Sequence, residues 1–568
     1  VTLQRKHYLL LALLAFVLAL PGRMALPPLD RDEPRYMEAT EQMLSSGNYL
    51  DIRFQDHPRY LQPAGIYWLE AGSEKISEFV LGPEIRHQTW PYRLPSLLAA
   101  SAIVPLTAWL GASLFSSGVG LLAAFLLMAS TLFAAEIRMA TIDTVLLLDI
   151  LCAEALLWCH IRDRHSVRPT SRYVTLGFWL ALGCGLMLKG PIVLIPGLGT
   201  PLAFSIAERS TALWRRLHPL WGVPAMLTVA LPWCIGIALV SHGAFFTNAV
   251  GHNLLGKIGH AQESHGFPPG YYLLVFLLSF WPGALFTVRA LPSIWHHRRC
   301  HSVRFLLCWI IPHWVFFELL ATKLPHYVLP TFPAIALLTA ASLIAWPQHH
   351  FSRWGKALLS LYGGLWSVLG LLFCCAGTVL LARMEHLLSI RALIALLGCL
   401  PLMLSAIWYF YHQKPQESAY CAIGTTLLIH VGLFLAVIPA LSQIQLSPKV
   451  AQAFNQWRPC PSSVLISASY HEPSLVFLAG EQTRLLSPSL AAQSLQAHAR
   501  CDLLLIDRKD APTLTESLRH MGIGTQQLTE ISGLNYSNGH HLHLQLIQAV
   551  PSSIIPHGTP TVPQHDDR

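Results

Sequence analysis

Apolar residues recur along this chain in long blocks separated by short polar loops. Approximate blocks lie at residues 7–26, 92–112, 118–135, 142–160, 173–188, 191–207, 220–241, 271–291, 304–320, 328–346, 357–382, 392–411 and 420–441. Each is near the length of about 20 residues that crosses the hydrocarbon of a bilayer as a helix. The pattern therefore predicts a polytopic α-helical membrane protein with about 13 spans. The first block reads as a retained helix rather than a cleaved signal peptide, because so many spans follow it.

The pattern changes twice. After Pro63 in the first loop, Ile66, Leu69, Ile76, Phe79 and Val80 alternate with Glu70, Glu74, Lys75 and Glu78, which suits a helix lying on the membrane surface. After residue 441 the long blocks stop. "SSVLISAS", "SLVFLAG" and "DLLLIDRKD" read as short buried strands, "APTLTESLRHMG" as a helix and "HLHLQLIQAV" as a half-exposed strand. Residues 442–552 are expected to form a small α/β domain, and 553–568, rich in proline and ending "QHDDR", a disordered tail. No GxGxxG follows a strand, so no dinucleotide site is read.

Composition agrees. Only 12% of the residues are charged, against about 25% in soluble proteins. The formal net charge of +8 does not point to nucleic acid, because the basic residues gather in "RDRHSVRPTSR", "ERSTALWRRLH", "HHRRCHSVR", "HHFSRWGK" and "HQKP". That distribution places the N-terminus and these loops in the cytoplasm. Three larger segments then face outward: 27–91, 242–270 and the tail. Asp32, Asp143, Lys189, His265 and Lys323 all fall on that outer side. Ionisable groups at a membrane boundary are costly unless paired or used. Of 12 cysteines, Cys460 and Cys501 lie in the tail. An oxidising compartment would allow them a disulfide if geometry permits.

The densest chemistry is "LPPLDRDEPRYMEATEQMLSSGNYL", residues 26–50, where Asp30, Asp32 and Glu33 fall within four positions. Pro34 suits a first helical turn, with Asp32 or Glu33 at the cap and Gly47 ending the helix. Capping alone would explain Asp32 or Asp143, and a snorkelling side chain would explain Lys189 or Lys323. Lys323 and Tyr327, four apart, would share a face if their turn is helical. Most of the 28 histidines read as solvated loop residues.

Taken with "EIRMATIDTVLLLDIL", "GLMLKGPIVLIP", "HNLLGKIGHAQESHGFPPGYYLL", "ATKLPHYVLPTFPAIALL" and "ISGLNYSNGHHLHLQL", the first loop resembles the GT-C polyprenyl-phosphate-sugar-dependent glycosyltransferases. These are the enzymes related to the 4-amino-4-deoxy-L-arabinose lipid A transferase and the protein O-mannosyltransferases. The resemblance implies a GT-C fold over 1–441 and an inverting transfer of a sugar from a polyprenyl-phosphate donor. The acceptor would be an envelope glycolipid, polysaccharide or protein at the periplasmic face of the bacterial inner membrane. It implies Asp32 as catalytic carboxylate, with Glu33 beside it, and Asp143 as a second acid lining the same cavity. Lys189, Lys323 and Tyr327 would meet the donor phosphate, and His265 falls where some members place a metal ligand. Where many members carry Glu-Lys or Lys-Lys, this chain has Leu61 and Gln62. No cofactor is therefore assigned, a divalent metal stays open, and Arg59 becomes a substitute cation. Two other classes compete. A transporter or flippase of a lipid-linked glycan would show repeated halves and broken helices at mid-membrane, and no repeat is evident. A catalytically inactive scaffold would not need Asp32 and Asp143.

Overall fold

The computed structural model describes residues 3–29, 32–163, 170–249, 251, 267–346, 351–497 and 501–551. His265 and the tail 553–568 lie outside the described residues. Contacts divide the chain into two compact units. One holds the chain up to Leu26 together with Ala39–Ala440; the other holds Pro27–Glu38 together with the chain from Leu441 onward.

In the first unit, nine helices among the described residues are long and apolar enough to cross a membrane. They include Ile142–Arg162, Pro219–Val240 and Arg353–Met384, with Ser117–Ala129 as a shorter apolar helix. Small residues let these helices approach closely, as lipid-embedded packing favours. Gly120 lies against the Ala108 carbonyl, where a Cβ would have no room.

Two buried arginines secure the exit of the first helix, Arg5–Ala19. Arg138 donates from Nη2 to the Leu18 carbonyl at 2.6 Å and from Nε to the Pro21 carbonyl at 3.0 Å. Arg93 donates from Nη1 to the carbonyls of Arg23 at 2.6 Å and Leu26 at 3.1 Å. A helix C-terminus leaves carbonyls unpaired and carries partial negative charge, so cations are stabilising there. Arg138 is thus a buried cap, not the interface anchor its place at a span end would suggest.

The helix Gly65–Leu81 is amphipathic, and its buried face carries two carboxylates among Ile66, Tyr67, Ala71 and Ser77. Glu70 and Glu74 are 0% exposed, whereas Phe79 is 90% exposed and Ile76 and Val80 are each 68% exposed. Glu70 accepts a hydrogen bond from Thr40 Oγ1 at 2.9 Å. Burial raises the pKa of Glu74, with Glu78 adding to the effect.

The second unit is built on a five-stranded sheet in the order Arg484–Leu485, Leu465–Ser467, Leu503–Asp507, His540–Pro551, Ile523–Asn535. The first three strands are parallel and the last two antiparallel. Side chains alternate across it as strand geometry requires. Leu504 and Ile506 join Leu514 and Leu518 of the helix Ala511–His520 on one face. Leu503 and Leu505 join Val450, Phe454 and Leu475 on the other. Cys460 and Cys501 form a disulfide. "SLVFLAG" is not a strand: Pro473–Ala479 is a helix with proline in its first turn. A short continuous apolar run carries no period that separates the two, and an N-terminal proline tips it to helix.

Candidate active site

Within the first unit, an acid and a base meet from opposite helix ends. Asp143 lies in the first turn of Ile142–Arg162, where the helix favours an anion. Lys189 is the last residue of Arg172–Lys189, where the helix favours a cation. Gly190 follows with φ +67°, a left-handed conformation that lets the chain turn away. Lys189 Nζ donates to Asp143 Oδ1 at 2.5 Å, and the two side chains are 17% and 9% exposed. Paired and nearly buried, Lys189 is not a snorkelling side chain.

Other groups gather on this pair. His326 Nε2 lies 3.8 Å from Asp143 Oδ2, and its Nδ1 lies 3.6 Å from Glu136 Oε1. Thr141 Oγ1 donates to the other Glu136 oxygen at 3.1 Å. Lys189 Nζ stands 5.5 Å from the centroid of the Tyr327 ring. Sequence reasoning reached Asp143, Lys189 and Tyr327 but not His326 or Glu136. The available signal was their place inside "KLPHYVLP" and "EIRMATIDT".

Lys323 does not share a helix face with Tyr327. The short 3₁₀ helix begins only at Pro325, since Pro325 disfavours helical geometry at the residue before it. Lys323 is buried and donates to the backbone carbonyls of Phe267 (2.9 Å) and Leu320. Arg59 is also buried; its Nε donates to the Tyr67 hydroxyl at 3.0 Å. Burial raises the pKa of Tyr67, against the lowering effect of Arg59.

Within the second unit, the acids of the first loop part company. Asp32 opens the helix Asp32–Ser46, which ends before Gly47 with φ +69°. Its side chain is 47% exposed, with Arg35 Nη1 at 3.7 Å. Glu33 is 0% exposed and accepts the Leu29 N–H at 2.7 Å. Asp30 lies outside the described residues. From the sheet, Tyr536 donates its hydroxyl proton to the Pro28 carbonyl at 2.6 Å.

A family model described as dolichyl-phosphate-mannose-protein mannosyltransferase matches residues 32–243. ArnT from Cupriavidus metallidurans, in a crystal structure bound to undecaprenyl phosphate, superposes with a TM-score of 0.69 at 18% identity. That match covers 97% of this chain and 99% of the other. The fold is the ArnT fold. The undecaprenyl phosphate-alpha-4-amino-4-deoxy-L-arabinose arabinosyl transferases of Enterobacter sp. (strain 638) and Pectobacterium carotovorum are similar in sequence, at 27% and 28% identity. The matches cover 56% and 59% of this chain. In those comparisons the chain spans 56% and 58% of its relatives' length. Its similarity is to the GT-C glycosyltransferases, and it is a polytopic helical membrane protein.

The residue that this resemblance would offer a metal, His265, lies outside the described residues. Leu61 and Gln62 offer no anionic donor. Among the described residues, no group of three His, Cys, Asp or Glu side chains converges as metal ligands.

Proposed function

We propose that this chain is an inverting glycosyltransferase that moves a sugar from a polyprenyl-phosphate donor to an envelope acceptor at the periplasmic face. The acceptor would be a lipid A-like glycolipid, a polysaccharide or a protein. The observation that carries the reading is the buried Asp143–Lys189 pair beside Tyr327 and His326, set in the ArnT fold. In the reaction, an acceptor oxygen or amine attacks the anomeric carbon and its proton passes to Asp32 late in the transition state. The bond from the anomeric carbon to the phosphate oxygen breaks, and polyprenyl phosphate departs with the electron pair. Lys189 stabilises the charge gathering on the phosphate. Asp143 holds Lys189 in place, with His326 and Glu136 behind it. Arg59 and Tyr327 are further donors for the phosphate, and Lys323 fixes the turn that presents Tyr327.

The same reading counts thirteen crossings in a multi-pass inner-membrane protein with a cytoplasmic N-terminus and a periplasmic α/β domain. The nine long helices are joined in this count by Arg5–Ala19, Ser117–Ala129 and the pair Tyr271–Ser279 and Gly283–His296. Arg172–Glu208 counts as two spans broken at Gly190. The basic loops support the orientation.

The test compares wild type with Asp32→Asn in nanodiscs, given polyprenyl-phosphate sugars and envelope lipids, with released polyprenyl phosphate followed by mass spectrometry. Wild type is expected to release it and to add a sugar mass to an acceptor. The variant should be slower by at least about 100-fold, the lower end for general-base loss. Equal release by both would remove Asp32 from the mechanism. Movement of an intact lipid-linked glycan with no release would favour a carrier instead.

A further inference from the structure

Asp32 begins its helix shortly after a pair of prolines. Pro27 and Pro28 have no N–H to donate, yet the segment Pro27–Glu38 belongs to the compact unit formed by the C-terminal sheet. Two bonds fix its backbone at adjacent residues. Tyr536 donates to the Pro28 carbonyl at 2.6 Å, and Glu33 accepts the Leu29 N–H at 2.7 Å.

Tyr536 comes from a hydrogen-bonded turn. It stands where the long antiparallel strands Ile523–Asn535 and His540–Pro551 turn. Gly539 donates its N–H to the Asn535 carbonyl at 2.8 Å with φ +76°. Asn535 Oδ1 accepts the Ser537 N–H at 3.1 Å, and its Nδ2 donates to Glu472 Oε1 at 3.0 Å. Below the turn, Ser447 Oγ is bonded to both the Tyr470 hydroxyl and Ser474 Oγ at 2.7 Å. Burial raises the pKa of the Tyr536 phenol, with Tyr470, Glu33 and Glu472 acting the same way, so it remains a protonated donor at neutral pH.

We propose that Tyr536 is a positioning residue for Asp32: with Glu33, it clamps the Pro28–Leu29 backbone and so sets where the Asp32 carboxylate stands. This rests on the reading of Asp32 as the catalytic carboxylate. It makes the C-terminal α/β unit part of the catalytic machinery, and it gives Glu33 the task of a clamp rather than of a second reacting acid. Small displacements of a reacting group are costly to rate even when the fold is intact.

The test uses full-length protein in nanodiscs and the variant Tyr536→Phe, which loses one oxygen. Amide exchange should quicken in residues 27–38 and stay unchanged in the strand Leu503–Asp507. The kcat for polyprenyl-phosphate release should fall about tenfold, with KM for the donor unchanged. Glu33→Gln, which keeps an acceptor for the Leu29 N–H, should retain more activity than Glu33→Ala. Wild-type kcat in Tyr536→Phe, alongside an inactive Asp32→Asn, overturns the positioning role alone. Equal losses in Glu33→Gln and Glu33→Ala overturn the clamp assigned to Glu33. Wild-type kcat in Asp32→Asn overturns the catalytic reading of Asp32 itself, whatever the exchange data show.

Discussion

Two amphipathic helices, one in each unit, use the same periodicity differently. Ala511–His520 buries Ala511, Leu514 and Leu518 and exposes Glu516, Arg519 and His520. Gly65–Leu81 buries Glu70 and Glu74 beside Ile66, Tyr67 and Ala71, and exposes Ile76, Phe79 and Val80 along with Lys75. A helix in water hides its apolar face because burial removes that face from water. A helix whose outer surroundings are lipid can leave its apolar face outside and turn its polar groups inward, provided they find partners. The period of a helix is therefore written in its residues, whereas the sense of its burial is set by the surrounding medium.

The largest effect is expected at the Asp143–Lys189 ion pair. Lys189→Ala leaves the Asp143 carboxylate buried without its cation. Removing one partner of such a pair destabilises by about 3–5 kcal/mol, and under the proposed role of Lys189 at the donor phosphate its loss should slow release by about 100-fold or more. Adding Asp143→Asn should restore much of the melting temperature but not the rate. A double variant as active as wild type would show the pair to be purely structural.

Equivalent truncations in the two helices should differ next. Leu518→Ala should cost about 2–5 kcal/mol, read as earlier melting of the C-terminal unit. Phe79→Ala should leave melting in detergent almost unchanged, because that ring is 90% exposed. Phe79→Asp should lower activity in nanodiscs several-fold while sparing the fold in detergent. Equal activity in both media would argue that this face does not meet lipid.

The smallest effect concerns Glu74. Its raised pKa means the native state binds the proton more tightly than the unfolded state does. Stability should therefore fall as pH rises through and above the ordinary carboxylate range. Glu74→Gln should remove that slope, melting slightly higher than wild type at pH 8 and no higher at pH 4. A variant that melts lower at pH 8 would show that the carboxylate is stabilised by its neighbours.

Much of the membrane unit was legible because a span is a local statement: about 20 apolar residues in a row suffice. The helix opened by Asp32 and closed at Gly47 was legible for the same reason, since caps and breakers act on neighbours. Lys323 shows where local reasoning misleads. Its spacing from Tyr327 suggested a shared helix face, but Pro325 starts the helical turn too late. Glu33 shows it again, because a carboxylate beside Asp32 in sequence is buried against the Leu29 amide.

A many-span helical protein, the gathering of its basic residues in a few loops, an α/β character after residue 441 and a set of ionisable residues near span ends were all readable from the chain alone. Those properties follow from composition and period within short windows. Folding brings Lys189 to Asp143 across 46 residues, His326 beside both Asp143 and Glu136, and Tyr536 to Pro28 across 508. Each of these depends on helix ends or strand turns brought together by packing. No local preference of the chain encodes such a meeting, because the free energy that creates it is spread over the whole buried interior.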